Sequence, residues 1–423
     1  MTTPKAANDQ PLPVTVLVPT YNRADYLPEA LNSLLAQDRA PAEVVVVDDG
    51  SETNAAEQVV RSFGGRVGYL RQENMGKSAA LNLGLANTRQ PFVWVFDDDD
   101  IAEPDALSSL YAALEANPDA GFAYGLCDKF TGAWPAPVSD ANTAYWSDNR
   151  RALYVRLLED FFMWQGAMLV RRCAYDAVGP FDVRMARSQD YEMNLRLTRR
   201  FTGAGVPKVM FHQRHHDGVR GPKAAQVKAD AVEAAWRRYN QLIFSEIHVS
   251  HDLDEFHADP AHGEADDRRR ITALIQRGCI MARRGLWPQA TRDFDEAAAL
   301  CAGGTLSTLN AQEVAALRRV FQPGARSTFA DAAEAKAFGR ALGGFADAEL
   351  TARIRGNLLL PVSHRIKQRL RRQPAPRGET RQILMILSHL AGPGAMMEYF
   401  KARRETLLMY GVQPLDVAAG AAA

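Results

Sequence analysis

Cysteine is scarce in this chain of 423 residues, and its four cysteines show no C-x-x-C spacing. They stand far apart, in apolar or helical contexts, at Cys127, Cys173, Cys279 and Cys301. This pattern argues against a cysteine-ligated zinc site and against a disulfide framework, because both need cysteines at characteristic spacings. A reducing compartment suits such a sequence, and we expect a cytoplasmic protein.

Long hydrophobic runs are also absent. No segment offers the roughly 18 uninterrupted apolar residues that a membrane-spanning helix needs; the nearest, residues 383–397, contains His389, Gly392, Pro393 and Gly394. The first residues, MTTPKAANDQPLP, are polar and contain proline, so they do not resemble a secretion signal. We expect any contact with a membrane to be peripheral, on the inner face.

Net charge is close to zero, because 50 Lys and Arg balance 50 Asp and Glu, but the charge is unevenly distributed. Residues 351–404 hold twelve Lys and Arg against two Glu. Such a segment is either a solvated helical surface or a contact with anionic phospholipid, where each basic residue contributes about 1 kcal/mol. A nucleic-acid role is less favoured, because the segment has no recognised binding motif.

The length of the chain predicts two domains, because a single hydrophobic core rarely grows beyond about 250 to 300 residues. Residues 246–266 are acidic, carry histidines and are interrupted by Pro and Gly, as expected of a linker. We therefore predict a first domain at 1–245 and a second at 267–423. The second is rich in Ala and Arg with helical periodicity, which predicts an α-helical accessory domain.

The first domain alternates strand and helix patterns. Continuous apolar runs, such as VTVLV at 14–18 before Pro19 and VVVV at 44–47, are typical of strands buried on both faces. Helical stripes follow them, as at 23–37. This alternation predicts an α/β domain with a mostly parallel sheet, in which Pro19 ends the first strand. Ligands of such sheets bind at the carboxyl ends of strands, where this sequence has PTYN, DDGS and DDDD.

Four consecutive aspartates, Asp97 to Asp100, follow the predicted strand PFVWVF. A helix that begins at Pro104 would explain one acid as its cap, Asp100 or Glu103. In an extended backbone alternate side chains share a face, so Asp97 and Asp99 would point together. Two carboxylates on one face suit a hard divalent cation such as Mg²⁺ or Mn²⁺, which offsets the repulsion between them. The sequence therefore predicts a metal site here.

Two further clusters are ambiguous by themselves. DDGS, with Asp48 and Asp49, is either a turn that caps the next helix or a site where a carboxylate binds a nucleobase or ribose. Lys77 lies in ENMGKSAALNLGL, which is not a phosphate-binding P-loop because Arg71 stands where its first glycine is required. What remains is a helix N-terminus suited to an anion, or an ordinary helix start with a solvated lysine.

These motifs occur together in the order expected of family 2 glycosyltransferases. The resemblance covers roughly residues 12–220 and rests on VTVLVPTYNRADYLPEALNSLLAQ, VVVVDDGS, NMGKSAALNLGL, VFDDDDIAEP, WQGAMLVRR, GPFD and SQDYEMNLRL. It implies a GT-A fold and an inverting transfer of a sugar from a nucleotide-diphosphate donor, a UDP-sugar above all, with Mn²⁺ or Mg²⁺ as cofactor. The acceptor would be a hydroxyl of a glycan, lipid-linked or other molecule in polysaccharide or glycoconjugate synthesis of the bacterial type.

The resemblance also implies roles for individual residues. The donor-binding residues would be Pro19, Thr20, Tyr21, Asn22, Asp49, Lys77, Asp97 and Asp98. The metal ligands would be Asp97, Asp99 and His216. The acceptor-side residues would be Trp164, Gln165 and Gly166. Within these sets, Asp49 would meet the base and Asp97 with Asp99 would form the D-x-D pair. Arg214 would close over the diphosphate as part of an Arg-x-His motif.

Asp190, in SQDYE, matches the position of the general base in that family. A sugar hydroxyl is a poor nucleophile near neutral pH, and a carboxylate within hydrogen-bond reach can take its proton. The usual Glu-Asp pair reads Gln189-Asp190 here. A catalytically silent scaffold that binds nucleotide sugars is therefore the alternative interpretation. A nucleotidyltransferase is less favoured, because VPTYNRADYLP lacks the glycine-rich loop of that class.

Overall fold

The computed structural model describes residues 10–140, 145–215, 232–302, 308–322, 328–371 and 379–409. Contacts between residues divide the chain into two units, one that ends at Tyr239 and one that begins at Asn240. The first combines a sheet with helices, and the second is helical in its described residues. The predicted α/β domain followed by an α-helical domain is confirmed.

The first unit contains one sheet of nine strands within its described residues. The strands are β1 (Leu12–Thr20), β2 (Pro41–Asp48), β3 (Gly68–Arg71), β4 (Phe92–Val95), β5 (Ile101–Ala102), β6 (Ala120–Thr131), β7 (Ser139–Asp140), β8 (Met168–Arg171) and β9 (Thr202–His215). Their order is β3-β2-β1-β4-β8-β6-β9-β5, with β7 beside β6.

The sheet is mixed. Strands β3, β2, β1 and β4 run parallel, as does β6 with β9, whereas β8 is antiparallel to β4 and β6, and β5 is antiparallel to β9. The expected parallel arrangement holds for the first four strands. It does not extend to β5 and β8, because an apolar run records burial and not strand direction.

The helices of the first unit are α1 (Leu27–Leu35), α2 (Ala55–Ser62), α3 (Lys77–Asn87), α4 (Ala106–Ala116), α5 (Arg150–Glu159), α6 (Arg172–Val178) and α7 (Gln189–Arg200). Helix α3 packs closely on β1, because a Cβ at Gly84 would lie only 2.9 Å from the side chain of Leu17. This packing places Lys77, the first residue of α3, near the carboxyl end of β1.

Pro19 lies inside β1, although the sequence predicts that it ends this strand. The backbone oxygen of Leu17 accepts a hydrogen bond from Phe96 N at 2.9 Å. The backbone groups of successive strand residues point alternately to the two neighbouring strands, so the backbone nitrogen of Pro19 points to the same side as the backbone groups of Leu17. On that side β4 has already ended, at Val95. A proline is tolerated there because the ladder with β4 no longer needs its N–H.

The second unit holds the rest of the described helices. Helix α8 (Val232–Ser250) spans the division between the units. The others are α9 (Asp266–Arg283), α10 (Trp287–Cys301), α11 (Ala311–Arg319), α12 (Ala332–Ala341), α13 (Ala348–Arg371), α14 (Glu379–Leu390) and α15 (Pro393–Met409). Each of these described helices is too short or too polar to cross a bilayer.

The segment 246–266 is more ordered than its composition indicates. It contains the last turn of α8 and a 3₁₀ helix at Leu253–Phe256, which begins with a capping box formed by Asp252 and Glu255. Phe256 is fully buried and lies against the guanidinium of Arg277. The burial of Phe256 and the capping box thus stabilise a short helix within this mainly polar segment. The domain limits at 245 and 267 remain predictions.

Candidate functional site

The carboxyl ends of β1, β2 and β4 lie at one edge of the sheet, because these strands are adjacent and parallel. The loops that follow them touch one another. Thr20 Oγ1 donates a 2.6 Å hydrogen bond to Asp98, and Asn22 N donates one of 2.9 Å to Ser51 Oγ. Asn22, with φ at 53°, also accepts from Glu52 N at 2.8 Å. The three polar clusters therefore lie together at one edge of the sheet.

The predicted nucleotide loop begins within β1. Pro19 and Thr20 are buried members of that strand, and Tyr21 lies half-buried directly after it. Their nucleotide contacts remain predictions.

The four aspartates form a turn and not the extended segment that the sequence predicts. Asp100 N approaches Asp97 O at 3.5 Å, and β5 begins directly afterwards, so the next helix starts at Ala106 and not at Pro104. As a result, carboxylate oxygens of Asp97, Asp99 and Asp100 lie within 4.8 Å of one another. Asp100, expected to cap a helix, instead belongs to the acidic cluster.

These three carboxylates fit a hard divalent cation. Opposite ligands of an octahedral Mg²⁺ or Mn²⁺ lie about 4 Å apart and adjacent ones about 3 Å, which the spacing of the cluster allows. Carboxylate oxygens are also the ligand type that these ions prefer. His216, the third predicted ligand, lies outside the described residues.

Two cations lie beside the acidic turn. Arg23 Nη1 is 3.2 Å from an oxygen of Asp98 and 3.0 Å from one of Asp99, and Lys77 forms an ion pair with Asp97. Burial alone would lower the pKa of each base, but the neighbouring carboxylates raise the pKa of both. Sequence reasoning missed Arg23, although its position directly after PTYN was a usable signal.

Asp98 supports the turn from inside. Its side chain is buried, and its oxygens are held by Thr20 and Arg23. Burial raises the pKa of Asp98 to about 6, while Arg23 opposes this rise. The geometry favours a positioning role for Asp98, and its predicted contact with the donor remains a prediction.

Asp49 uses both of its carboxylate oxygens within the fold. One accepts from Gln72 Nε2 at 2.7 Å and from Met75 N at 2.9 Å, and the other from Asn74 Nδ2 at 3.0 Å and from Gly76 N at 2.8 Å. A carboxylate offers about four acceptor positions, so these bonds occupy its capacity. Asp49 therefore organises the loop that leads into α3, and its predicted contact with the base is untested.

Asp48, its neighbour, is fully buried and accepts from Tyr69 OH at 2.6 Å and from Ser51 N at 2.8 Å. Burial and this hydrogen bond raise the pKa of Tyr69 to about 12. Between the two aspartates and Ser51, Gly50 has φ of 78°, and a Cβ there would lie 2.6 Å from Asn74 N. Only glycine permits this approach of the two loops.

Asp190 lies in the first turn of α7, directly after Gln189. The turn is preceded by Ser188 in the left-handed region, with φ 61° and ψ 21°. Burial raises the pKa of Asp190, Lys77 lowers it, and Asp97 raises it again. Asp190 is thus within electrostatic reach of the acidic turn, although more than 90 residues separate them in the chain.

Residues 15–179 match the family model described as Glycosyl transferase family 2. This segment is a family 2 glycosyltransferase domain. For this segment the match confirms the family and the transferase class that the motifs predict, and the first unit has the GT-A fold.

Curated relatives match parts of the transferase domain. An uncharacterized glycosyltransferase of Rickettsia conorii is 39% identical over 95 residues, or 22% of this chain and 16% of the relative. Glycosyltransferase GlyA of Streptococcus pneumoniae is 42% identical over 104 residues, or 24% of this chain and 15% of the relative. The alignments thus span about a sixth of those proteins, so the activity and substrates of the whole chain are matters for proposal.

Solved structures of S. aureus TarS are more distant. The structure of residues 1–349 has a TM-score of 0.47 and 17% identity, over 84% of this chain and 92% of that chain. The complex of TarS 1–349 with UDP has a TM-score of 0.44 and 16% identity, over 69% of this chain and 87% of that chain. At this similarity they carry no argument about the ligands of the transferase domain.

Arg214 contacts the acidic turn from inside the transferase domain, and its predicted contact with the diphosphate stays a prediction. Its side chain is only 3% exposed, and its Nε donates to the backbone oxygen of Asp99 at 2.9 Å. The guanidinium also contacts Glu29 and the backbone oxygen of Gly132, while Arg214 N donates to Asp100 at 2.9 Å. Arg214 therefore holds the acidic turn from inside the domain, because β9 carries it beneath the site.

The predicted acceptor-side residues lie between α5 and β8. Trp164 is half-buried with Lys129 Nζ 5.2 Å from its ring centre, and the backbone oxygen of Gly166 accepts from Trp94 Nε1 at 2.7 Å. Gln165 is 8% exposed, and neither atom of its amide has a hydrogen-bond partner among the described residues. An unsatisfied buried polar group costs about 1–3 kcal/mol of stability, and hydrogen bonds to the hydroxyls of an acceptor substrate would offset this cost.

Proposed function

We propose that this chain transfers a sugar from a nucleoside-diphosphate sugar to a hydroxyl of a glycan, lipid-linked or similar acceptor. A uridine-diphosphate sugar is the first donor to test, and the reaction would serve polysaccharide or glycoconjugate synthesis. The position of Lys77 carries the proposal. It pairs with Asp97 in the acidic turn and interacts electrostatically with Asp190. A displacement needs a cationic environment for the leaving diphosphate and a base for the incoming hydroxyl. Lys77 supplies positive charge beside the acidic turn and also interacts with the proposed base.

Asp190 is the proposed base. Its carboxylate takes the proton of the acceptor hydroxyl while that oxygen bonds to the anomeric carbon and the bond from this carbon to the donor phosphate breaks. Such a direct displacement inverts the configuration at the anomeric carbon. Burial raises the pKa of Asp190 and makes it a stronger base than an exposed carboxylate, and Lys77 limits that rise.

The acidic turn is the proposed donor side. Asp97, Asp99 and Asp100 would hold Mn²⁺ or Mg²⁺, which when bound would supply charge stabilisation for the diphosphate. Arg23 holds Asp99 in place before any ligand arrives, and such preorganisation lowers the cost of stabilising charge in the transition state. Lys77 contributes a fixed positive charge at the same edge.

Two substitutions test this division of roles. Asp99→Ala is expected to abolish metal-dependent binding of UDP. Asp190→Asn is expected to keep UDP affinity within about twofold and to lower transfer by about 10²–10⁴-fold, the usual contribution of a general base. Calorimetry with Mn²⁺ and UDP measures the first effect, and release of labelled sugar measures the second. Asp119→Ala, at an exposed carboxylate of the same domain, is the control.

Equal loss of UDP binding in both variants would contradict the assigned roles. The scaffold alternative makes a different prediction. It would be supported if the unmodified protein bound UDP with Mn²⁺ but neither transferred nor hydrolysed any donor in a broad panel.

We further propose a peripheral contact between residues 351–404 and an anionic membrane. In addition to the basic residues, Leu384, Met397 and Phe400 on α14 and α15 are 57–62% exposed. Part of the segment, 372–378, lies outside the described residues. Binding to vesicles that contain anionic lipid should weaken as salt is added, because exposed charges are screened. Salt-independent binding, or none, would contradict this contact.

A further inference from the structure

Helices α12, α13 and α14 line a cavity of about 420 Å³ that is open to solvent, in the helical unit. Its lining residues are Lys336, Gly339, Arg340, Gly343, Arg355, Ser388 and His389. Three permanent cations, an imidazole and a hydroxyl therefore face one space, and the described lining contains no carboxylate. The volume is within the range of small-molecule sites, so there is room for more than a single inorganic ion.

Stabilisation of helix ends does not account for these cations. Arg340 lies in the last turn of α12, where a positive charge is favourable. Lys336, however, lies in the middle of α12, four residues earlier, and like charges at this spacing destabilise a helix. Neither side chain has an ion pair or hydrogen bond within the part of the chain that the structure describes. The fold alone gives no reason to place both charges at this cavity.

Arg355 is held in the wall of the cavity with part of its hydrogen-bonding capacity unused. Its Nη2 donates to the backbone oxygen of Gly339 at 2.7 Å. Its Nε is buried and has no acceptor among the described residues. A buried donor without a partner destabilises the fold, and more so when it is charged. Arg355 nevertheless lines the cavity, so the other N–H groups of its guanidinium can donate to an anionic oxygen there.

Two glycines bring the walls together. A Cβ at Gly339 would lie 2.8 Å from the backbone oxygen of His389, so α12 and α14 can approach this closely only with glycine at that position. A Cβ at Gly343 would lie 3.3 Å from Nη2 of Arg355. The polar side chains of three helices thus converge because two positions carry no side chain beyond a hydrogen.

We infer that this cavity binds a phosphate group carried by a small polar molecule, such as a phosphorylated sugar or polyol. The tetrahedral oxygens of phosphate can meet donors on several helices at once, in charge-assisted hydrogen bonds. The hydroxyl of Ser388 and the lack of apolar side chains in the described lining suit a polar attached group. The phosphate can belong to a soluble ester or to a phospholipid headgroup, and the inference is independent of the proposed transfer reaction.

Titration of the full-length chain with glycerol 3-phosphate, at low salt and without nucleotide or metal, tests the inference. The double variant Lys336→Gln/Arg340→Gln is expected to bind at least about tenfold more weakly, because two charge-assisted contacts are lost. The charge-matched control Arg270→Gln/Arg292→Gln changes two exposed cations away from the cavity and is expected to stay within about twofold of the unmodified protein. Both pairs are exposed, so circular dichroism should show an unchanged fold.

Vesicles of phosphatidylcholine with and without phosphatidylglycerol distinguish the two sources. If the ligand is a soluble ester, the cavity variant, Lys336→Gln/Arg340→Gln, should lose affinity for glycerol 3-phosphate but bind phosphatidylglycerol vesicles as before. A headgroup as ligand predicts that the same variant also loses the vesicles. The inference is overturned if neither probe binds, or if the cavity variant and the charge-matched control lose affinity equally, since that would show general electrostatic attraction.

Discussion

Glu313 in the helical unit and Asp98 in the transferase domain are both buried carboxylates, but their electrostatic surroundings differ. Glu313 is fully buried, and its oxygens accept from Arg268 Nη2 at 2.9 Å and from Thr272 Oγ1 at 2.9 Å. Asp98 also has partners, yet burial raises its pKa to about 6, and the neighbouring Asp99 and Asp97 act in the same direction against Arg23. The ion pair of Glu313 with Arg268 stabilises the helical unit. The aspartates after β4 repel one another, and a bound cation can offset that repulsion.

The largest effect on stability is expected where that pairing is broken. Glu313→Ala removes the partner of Arg268 and half of the capping box with Asn310, so it should lower the free energy of unfolding by about 3 kcal/mol. Glu296→Ala breaks an exposed pair with Arg270 and should change it by less than about 1 kcal/mol. Urea unfolding measures both. If the two variants were equally stable, the structural role of pairing in this unit would be refuted.

A smaller effect on the free energy of unfolding is expected at Asp49, a buried carboxylate of the transferase domain that is hydrogen-bonded as Glu313 is. Asp49→Asn replaces one acceptor oxygen by a donor and leaves two N–H donors of the loop 72–76 without a match. We expect a loss of about 2 kcal/mol in the free energy of unfolding, followed by weaker UDP binding. Asp119→Asn is the control. Loss of UDP binding at unchanged stability would show that Asp49 meets the base and does not organise the loop.

The smallest expected effect is a displacement of the pH profile. Asp190 must be ionised to act as a base, so kcat/KM for the acceptor, at saturating donor, should fall as pH decreases through the pKa of Asp190. Lys77 favours the ionised form and lowers that pKa. Lys77→Met should therefore move the acidic limb to higher pH, whereas Lys77→Arg should leave it nearly in place. An acidic limb that does not move would mean that another group is the titrating base.

Local pattern was enough for part of this molecule. The valine runs predict β1 and β2, the apolar stripe at 23–37 predicts α1, and helical periodicity predicts that the second domain is α-helical, because periodicity reports burial directly. The motifs also indicated that the carboxyl ends of β1, β2 and β4 meet, since adjacent parallel strands end at one edge. The linker-like composition of 246–266 was less informative, because the burial of one side chain, Phe256, stabilises local structure although most of its neighbours in sequence are polar.

Contacts across long stretches of sequence were not predictable in this way. Arg23 joins Asp98 and Asp99 across 75 and 76 residues, and Arg214 holds the backbone of Asp99 across 115. An arginine in a loop and an arginine beneath a site look alike in sequence. Whether it faces a ligand or the interior depends on the strand that carries it, as β9 carries Arg214.

By itself, then, the order of apolar and acidic residues determined the alternating architecture and the presence of an acidic cluster after β4, since these follow from backbone periodicity and local composition. Tertiary structure alone decided that the four aspartates turn, so that Asp100 joins Asp97 and Asp99. It also decided that the loop at 72–76 binds Asp49 and that Lys77 interacts with both Asp97 and Asp190. Electrostatic roles depend on distance in space, and only packing sets that distance.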